Sequence, residues 1–239
     1  MKYESIDNKL FIKNRANFSR EMKKNSIAFF NSNDIYPVSA DSTLPFEQHR
    51  DIFYLSGIDQ EESILVLCPD NPNSDLREIL FLKETNDHIA VWEGPKINKT
   101  QALEISGIKT VFWLKDLEKL VDKLVSTCHN IYFNKNEHYR AKIETETREA
   151  RFNIWLEKKY PKKNKERSNP ILQRLRSIKD HKEISLIQQA CDITNKGFRR
   201  ILGFVKPGVW EYEIEAEFIH EFLINRSKKF AYTPINKNS

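Results

Sequence analysis

The chain has 239 residues, 39% hydrophobic and 31% charged, with a net charge of +5. At ~150 residues per domain, this allows one large domain or two small ones. A mean hydropathy of −0.63, with no apolar run near the ~18 residues a bilayer crossing needs, speaks against a membrane protein. The composition also excludes a collagen-like chain and a disordered tail. The N-terminal MKYESIDNKLF lacks the apolar stretch of a secretory signal. Cys68, Cys128 and Cys191 lie 60 and 63 residues apart, which fits neither a zinc ribbon nor a disulfide framework. A reducing, cytoplasmic location is the expectation.

In chain order, residues 14–24 read as a helix ending on Lys23 and Lys24, where cations suit the helix C-terminus. SIAFFN (26–31), IFYLSG (52–57) and SILVLC (63–68) read as strands, the last buried on both faces. EILFLK (78–83) and HIAVWE (88–93), joined by the polar link 84–87, read as a hairpin. TVFWL (110–114) and NIYFN (130–134) are further strands, and residues 99–106, 116–127 and 137–159 are helices. This alternation predicts an α/β fold with a mixed sheet flanked by helices.

Residues 160–170, YPKKNKERSNP, hold two prolines, many charges and nothing to bury. They mark the best domain boundary. Between 156 and 182, ten Lys or Arg face only Glu157, Glu166 and Asp180. That excess exceeds the net charge of the whole chain, so the remainder is slightly acidic. The stretch reads as a solvated linker rather than a nucleic-acid surface, because no aromatics are interleaved for base stacking. Beyond it, Ile184, Ile187, Cys191, Thr194, Phe198, Ile201 and Val205 form a helical stripe, stopped at Pro207-Gly208. Glu211 to Asn225 forms a second amphipathic helix. Two helices cannot close a core alone, so they are expected to lean on something else.

No complete catalytic set is visible. His220-Glu221 opens like a zinc-peptidase HExxH, but the fifth position is Ile224. Glu217-x-x-His220 is one copy of a step that di-iron bundles need twice. Glu213, Glu217 and Glu221 repel one another unless water or a cation screens them. His49-Arg50-Asp51 has no nucleophile in a recognisable elbow, and six glycines supply no phosphate loop.

Three segments together resemble the Xaa-Pro aminopeptidase (aminopeptidase P) family, of the creatinase and methionine aminopeptidase pita-bread superfamily. Leu44 to Gly57, LPFEQHRDIFYLSG, is similar to the family's PFRQ-x-SDFYYLTG, with Glu47 in place of Arg and Arg50 where Ser is common. Val91-Trp92-Glu93-Gly94-Pro95 resembles its W-x-G turn. The third runs from Leu175-Arg176-Ser177-Ile178-Lys179 through Glu183-Ile184, Ala190 to Thr194, Val205 to Gly208 and Glu211 to Glu217 to Phe230–Ile235.

The resemblance implies a creatinase-like N-terminal domain over 1–168 and the first helices of an incomplete pita-bread domain over 169–239. The family releases an N-terminal residue from peptides with proline second. It does so with water activated by two divalent ions, typically Mn²⁺, held by two Asp, one His and two Glu. No residue of this chain matches those ligands, so no catalytic or metal position is assigned. The chain is expected to be inactive alone, as a truncated product.

The family also implies proline-containing peptides as substrates and a homo-oligomer, the N-terminal domain shaping the substrate entrance. Trp92, His49 and Arg50 are the candidate substrate-lining residues. A core or hairpin-packing Trp, and a fold-stabilising salt bridge within His49-Arg50-Asp51, are their plain alternatives. No membrane or nucleic-acid partner is expected. The other reading of the whole is a non-catalytic peptide- or protein-binding module of creatinase-like fold.

Overall fold

The computed structural model describes residues 4–231 except 87, 89, 92, 93 and 142. Contacts divide the chain into two compact units, Ile6–Ser177 and a smaller one carrying the residues from Ile178 onward.

The larger unit is a six-stranded mixed sheet covered by helices on both faces. In chain order it contains α1 (Lys9–Glu21), β1 (Ser26–Asn31), the short pair β2 (Pro37–Ser39) and β3 (Ser42–Thr43), α2 (Arg50–Ser56), β4 (Ile64–Leu67) and β5 (Glu78–Leu82). Then follow α3 (Lys99–Ser106), β6 (Thr110–Trp113), α4 (Leu117–Ser126), β7 (Asn130–Phe133), α5 (Arg148–Lys159), β8 (Asn164–Arg167) and α6 (Asn169–Ser177). The strand order is β6-β5-β4-β1-β7-β8. β4 runs antiparallel to β1 and β5, while the β1–β7, β5–β6 and β7–β8 pairs are parallel.

Period-two alternation splits the sheet's side chains between two cores. Ala28, Phe30, Leu65, Leu67, Leu80 and Leu82 face Phe18 of α1, Ile52 and Leu55 of α2, Ala102 of α3, and Ile171 and Leu172 of α6. Ile27, Phe29, Ile64, Val66, Ile79 and Phe81 face Val121, Leu124 and Val125 of α4 and Leu156 of α5. A strand covered on both sides has no polar face to show, so SIAFFN and ILVL are apolar nearly throughout.

Four elements depart from the sequence expectation. IFYLSG is the body of α2 rather than a strand. His49 caps its start, and Gly57 at φ +70° ends it, with its N–H donating to Phe53 O. The Phe11 ring occupies the space where a side chain on Gly57 would sit. Ile52 and Leu55, one turn apart, are both wholly buried, which a strand could not achieve on one face.

The hairpin after β5 also fails. Both edges of β5 are already paired, by β4 and β6, and the described His88, Ala90 and Val91 are helical. The long helix predicted over 137–159 begins only at Arg148, where Thr147 Oγ1 accepts from Ala150 N. Finally, the link 160–170 contains β8, an edge strand paired from Asn130↔Asn164 to Phe133↔Arg167. Its polar side chains are what a sheet edge open to water tolerates.

The smaller unit holds α7 (His181–Phe204) and α8 (Glu211–Ile224). A reciprocal capping box between Asp180 and Glu183 starts α7. The two helices meet where Phe198 sets its edge against Phe218 at 5.0 Å; on α8 Phe218 continues to Phe222 at 5.5 Å, and Phe230, beyond the helix, packs on Phe222 at 4.9 Å. Gly197 permits this approach, because an added Cβ would meet the Phe218 ring at 2.8 Å. Among the described residues no helix is long and apolar enough to cross a membrane.

Candidate functional site

β1 and β7 are parallel neighbours, and each apolar run closes on an asparagine. Asn31 ends β1 and Asn134 directly follows β7. Both are wholly buried. The carboxyl ends of parallel strands are where open α/β sheets gather polar groups, and here three helices bring charge to them.

From α5 comes Glu149, buried among these groups. It accepts from Asn31 N at 3.1 Å and Asn31 Nδ2 at 3.0 Å. Burial pushes its carboxyl up to about 7, although the asparagine donors favour the charged form. From α2 comes Asp51, which accepts from Asn134 Nδ2 at 3.0 Å and pairs with Arg176 of α6 at 2.6 Å. Arg176 also lies over the Tyr54 ring, 5.5 Å from its centre. Two carboxyls are thus held by two strand-end asparagines, and one of them, Asp51, is also balanced by a guanidinium. Asn31 Oδ1 and Asn134 Oδ1 are buried without a hydrogen-bond partner.

His49 stands at the rim. Its Nδ1 accepts from Asp51 N at 3.3 Å and lies 3.7 Å from Asp51 Oδ2. Burial holds its imidazole below the usual value, with Arg176 adding to the effect and Asp51 opposing it. Arg50, the first residue of α2, is exposed. His49 and Arg50 are therefore adjacent, but only His49 touches the cluster. Trp92 lies outside the described residues, as does Tyr232–Ile235.

Sequence reasoning missed Asn31, Asn134 and Glu149. The signal was available in the two strand-terminal asparagines, since a polar residue closing an otherwise apolar run needs buried partners. Next to the cluster, Gln48 Nε2 donates to the carbonyls of Ile58 and Gln60 at 2.9 Å each, fixing the loop between α2 and β4. Arrangements of this kind hold protons and lock loops. They offer no nucleophile, and among the described residues no group of three or more His, Cys, Asp or Glu could hold a metal ion.

Elsewhere, the carboxylates of α8 that repel one another find their cation. Arg200 of α7 pairs with Glu217 and approaches Glu221 at 3.6 Å, while His220 is exposed. At least half of the basic stretch is likewise paired, mostly with carboxylates outside it. Lys159 pairs with Asp122, Lys165 with Glu157, Arg167 with Glu137, Arg174 with Glu21, and Arg176 with Asp51.

Residues 11–132 match the family model described as aminopeptidase P, N-terminal domain. Human Xaa-Pro aminopeptidase 3 is 27% identical over 207 residues, 85% of this chain and 40% of that protein. The Xaa-Pro aminopeptidase of Escherichia coli K12 is 24% identical over 238 residues, 96% of this chain and 52% of that protein. The chain thus spans about half the length of the curated relatives it matches.

Among solved structures, Pseudomonas aeruginosa aminopeptidase PepP aligns with TM-score 0.83 at 21% identity, covering 95% of this chain and 51% of that one. A zinc-substituted E. coli aminopeptidase P in complex with product aligns with TM-score 0.73 at 22% identity, covering 92% and 50%. These structures share the fold of the mixed sheet and its flanking helices. With its N-terminal domain matched across half of its length, the chain belongs to the aminopeptidase P family.

Proposed function

We propose that this chain is the N-terminal part of a metal-dependent Xaa-Pro aminopeptidase and is inactive alone. Its alignment along nearly its whole length with only about half of such enzymes supports this reading. In the family, the complete protein releases the N-terminal residue of peptides with proline second. The dimetal site implied by the resemblance finds no ligand set among the described residues. The polar cluster of Asn31, Asp51, Asn134 and Glu149 serves the fold rather than the chemistry. Residues 1–168 act as the creatinase-like domain and 169–239 as the first helices of the peptidase domain. His49, Arg50 and Trp92 border the substrate entrance, and a homo-oligomer of the complete enzyme presents proline-containing peptides to it in the cytoplasm.

The test is hydrolysis of Xaa-Pro dipeptides and tripeptides by the purified 239-residue chain with Mn²⁺, with bound metal counted by mass spectrometry. The expected result is neither turnover nor tightly held metal. Turnover with two bound ions would overturn the reading.

The second reading is a non-catalytic peptide- or protein-binding module of the same creatinase-like fold. Saturable binding of uncleaved Xaa-Pro peptides to the same sample, lost on replacing His49 and Arg50 by alanine, would support it.

A further inference from the structure

Cys68 follows β4, and Cys128 follows α4 on the way into β7. Sixty residues separate them in sequence, yet their sulfurs are 3.4 Å apart. Both side chains lie in the core between the sheet and α4, and both are free thiols. We propose that Cys68 and Cys128 form a reversible modification site, a dithiol that a hydroperoxide closes to an intramolecular disulfide and a small-molecule thiol reopens.

Three observations support this. The sulfurs already touch, so bonding needs side-chain rotation within a packed site rather than the folding of a long loop. The surroundings distinguish the two sulfurs. Cys128 Sγ has Thr127 Oγ1 at 3.8 Å and Lys163 nearby, and its thiol is lowered to about 7, chiefly by the hydrogen bond with Cys68. The Cys68 thiol is pushed up, by that same hydrogen bond and by burial. With Thr127 and Lys163 beside its sulfur, Cys128 takes the attacking role in this proposal and Cys68 the resolving one. Cys128 also lies close under the surface, its sulfur in contact with the hydroxyl of the exposed Thr127.

The chemistry balances. The Cys128 thiolate attacks one peroxide oxygen, forming an S–O bond as the O–O bond breaks. The departing hydroxide takes up the proton Cys128 had lost and becomes water. The Cys68 sulfur then attacks the sulfenic acid, the S–S bond forms, the S–O bond breaks, and the second hydroxide leaves as water with the Cys68 proton. Two thiols supply two electrons, one peroxide accepts them, and the products are one disulfide and two waters. A dithiol reductant reverses the link by exchange through a mixed disulfide.

The experiment uses the 239-residue chain with Cys191→Ser, which removes the one exposed thiol. Folded protein is treated with hydrogen peroxide, quenched with an alkylating agent in denaturant, and weighed intact. The expected product is two hydrogens lighter and takes up no alkyl group. Its digest contains a peptide joining Cys68 to Cys128, and dithiothreitol restores both thiols. Cys68→Ser is expected to stop at a Cys128 sulfenic acid that dimedone traps. The proposal is overturned if both thiols remain alkylatable after peroxide treatment that oxidises the denatured chain. Oxygen accumulating on one sulfur of the Cys191→Ser protein, with no linked peptide, would overturn it equally. The parent measurement stands whether or not Cys68→Ser folds.

Discussion

α4 and α7 have similar stripes of apolar residues and opposite fates. α4, ten residues long, buries Val121, Leu124 and Val125 against the sheet. α7, with 24 residues, buries only Gly197 and Ile201. Ile184, Ile187, Phe198, Leu202 and Val205 stay exposed, as do Trp210, Tyr212, Ile219, Leu223 and Ile224 on and beside α8. An amphipathic pattern states a demand for a partner surface. The sheet meets that demand in the larger unit, while in the smaller one an aromatic seam and one arginine meet it only in part.

The sharpest way to break this contrast is limited proteolysis. Cuts in 178–231 are expected at roughly ten times the rate of cuts in 6–177 or faster, since sparse burial lowers the cost of local opening. Equal resistance would sink the comparison.

Core substitutions should separate the units next. Phe30→Ala removes a wholly buried ring and should cost about 3–5 kcal/mol in the larger unit's denaturant unfolding. Leu202→Ser, at an exposed site, should stay within about 0.5 kcal/mol.

A pH series sharpens the picture inside the larger unit. Glu149 has its pKa raised from 4.5 to about 7, so the folded state holds a proton that the unfolded state has released. That contribution is fully present below pH 4.5 and lost as pH rises through about 7. The loss amounts to about 3 kcal/mol. Glu149→Gln should flatten this stretch of the stability curve, and an unchanged slope would assign it to other groups.

The smallest expected effect concerns the basic stretch. Lys165→Ala breaks only the exposed pair with Glu157 and should change stability by ~0.5 kcal/mol or less.

Much of the fold was legible because burial on both sheet faces writes unbroken apolar runs. SIAFFN proved to be β1 residue for residue, and residues 99–106 proved to be a helix. IFYLSG was misread because its composition suits a strand, while its conformation is decided by His49 at one end and Gly57 at the other. β8 was invisible to a reading based on burial, since pairing with β7 alone makes Asn164–Arg167 a strand.

The polar cluster was legible one residue at a time and illegible as a whole. Asn31 and Glu149 are 118 positions apart, and only the packing of α5 on β1, with β7 alongside, makes their neighbourhood. The same holds for charge: a local count leaves Arg174 and Arg176 unopposed, but the fold supplies Glu21 and Asp51.

β8 has a consequence for how these molecules share a solution. A sheet edge is a template on which another chain's strand can lay down hydrogen bonds. At this edge the incoming strand would meet Lys165, Glu166 and Arg167, already engaged with Glu157, Lys23 and Glu137. Docking there would have to dismantle or bury three ion pairs for four residues of pairing. The stretch that looked like a spare linker thus shields one of the sheet's two edges from strand addition, the other edge being β6.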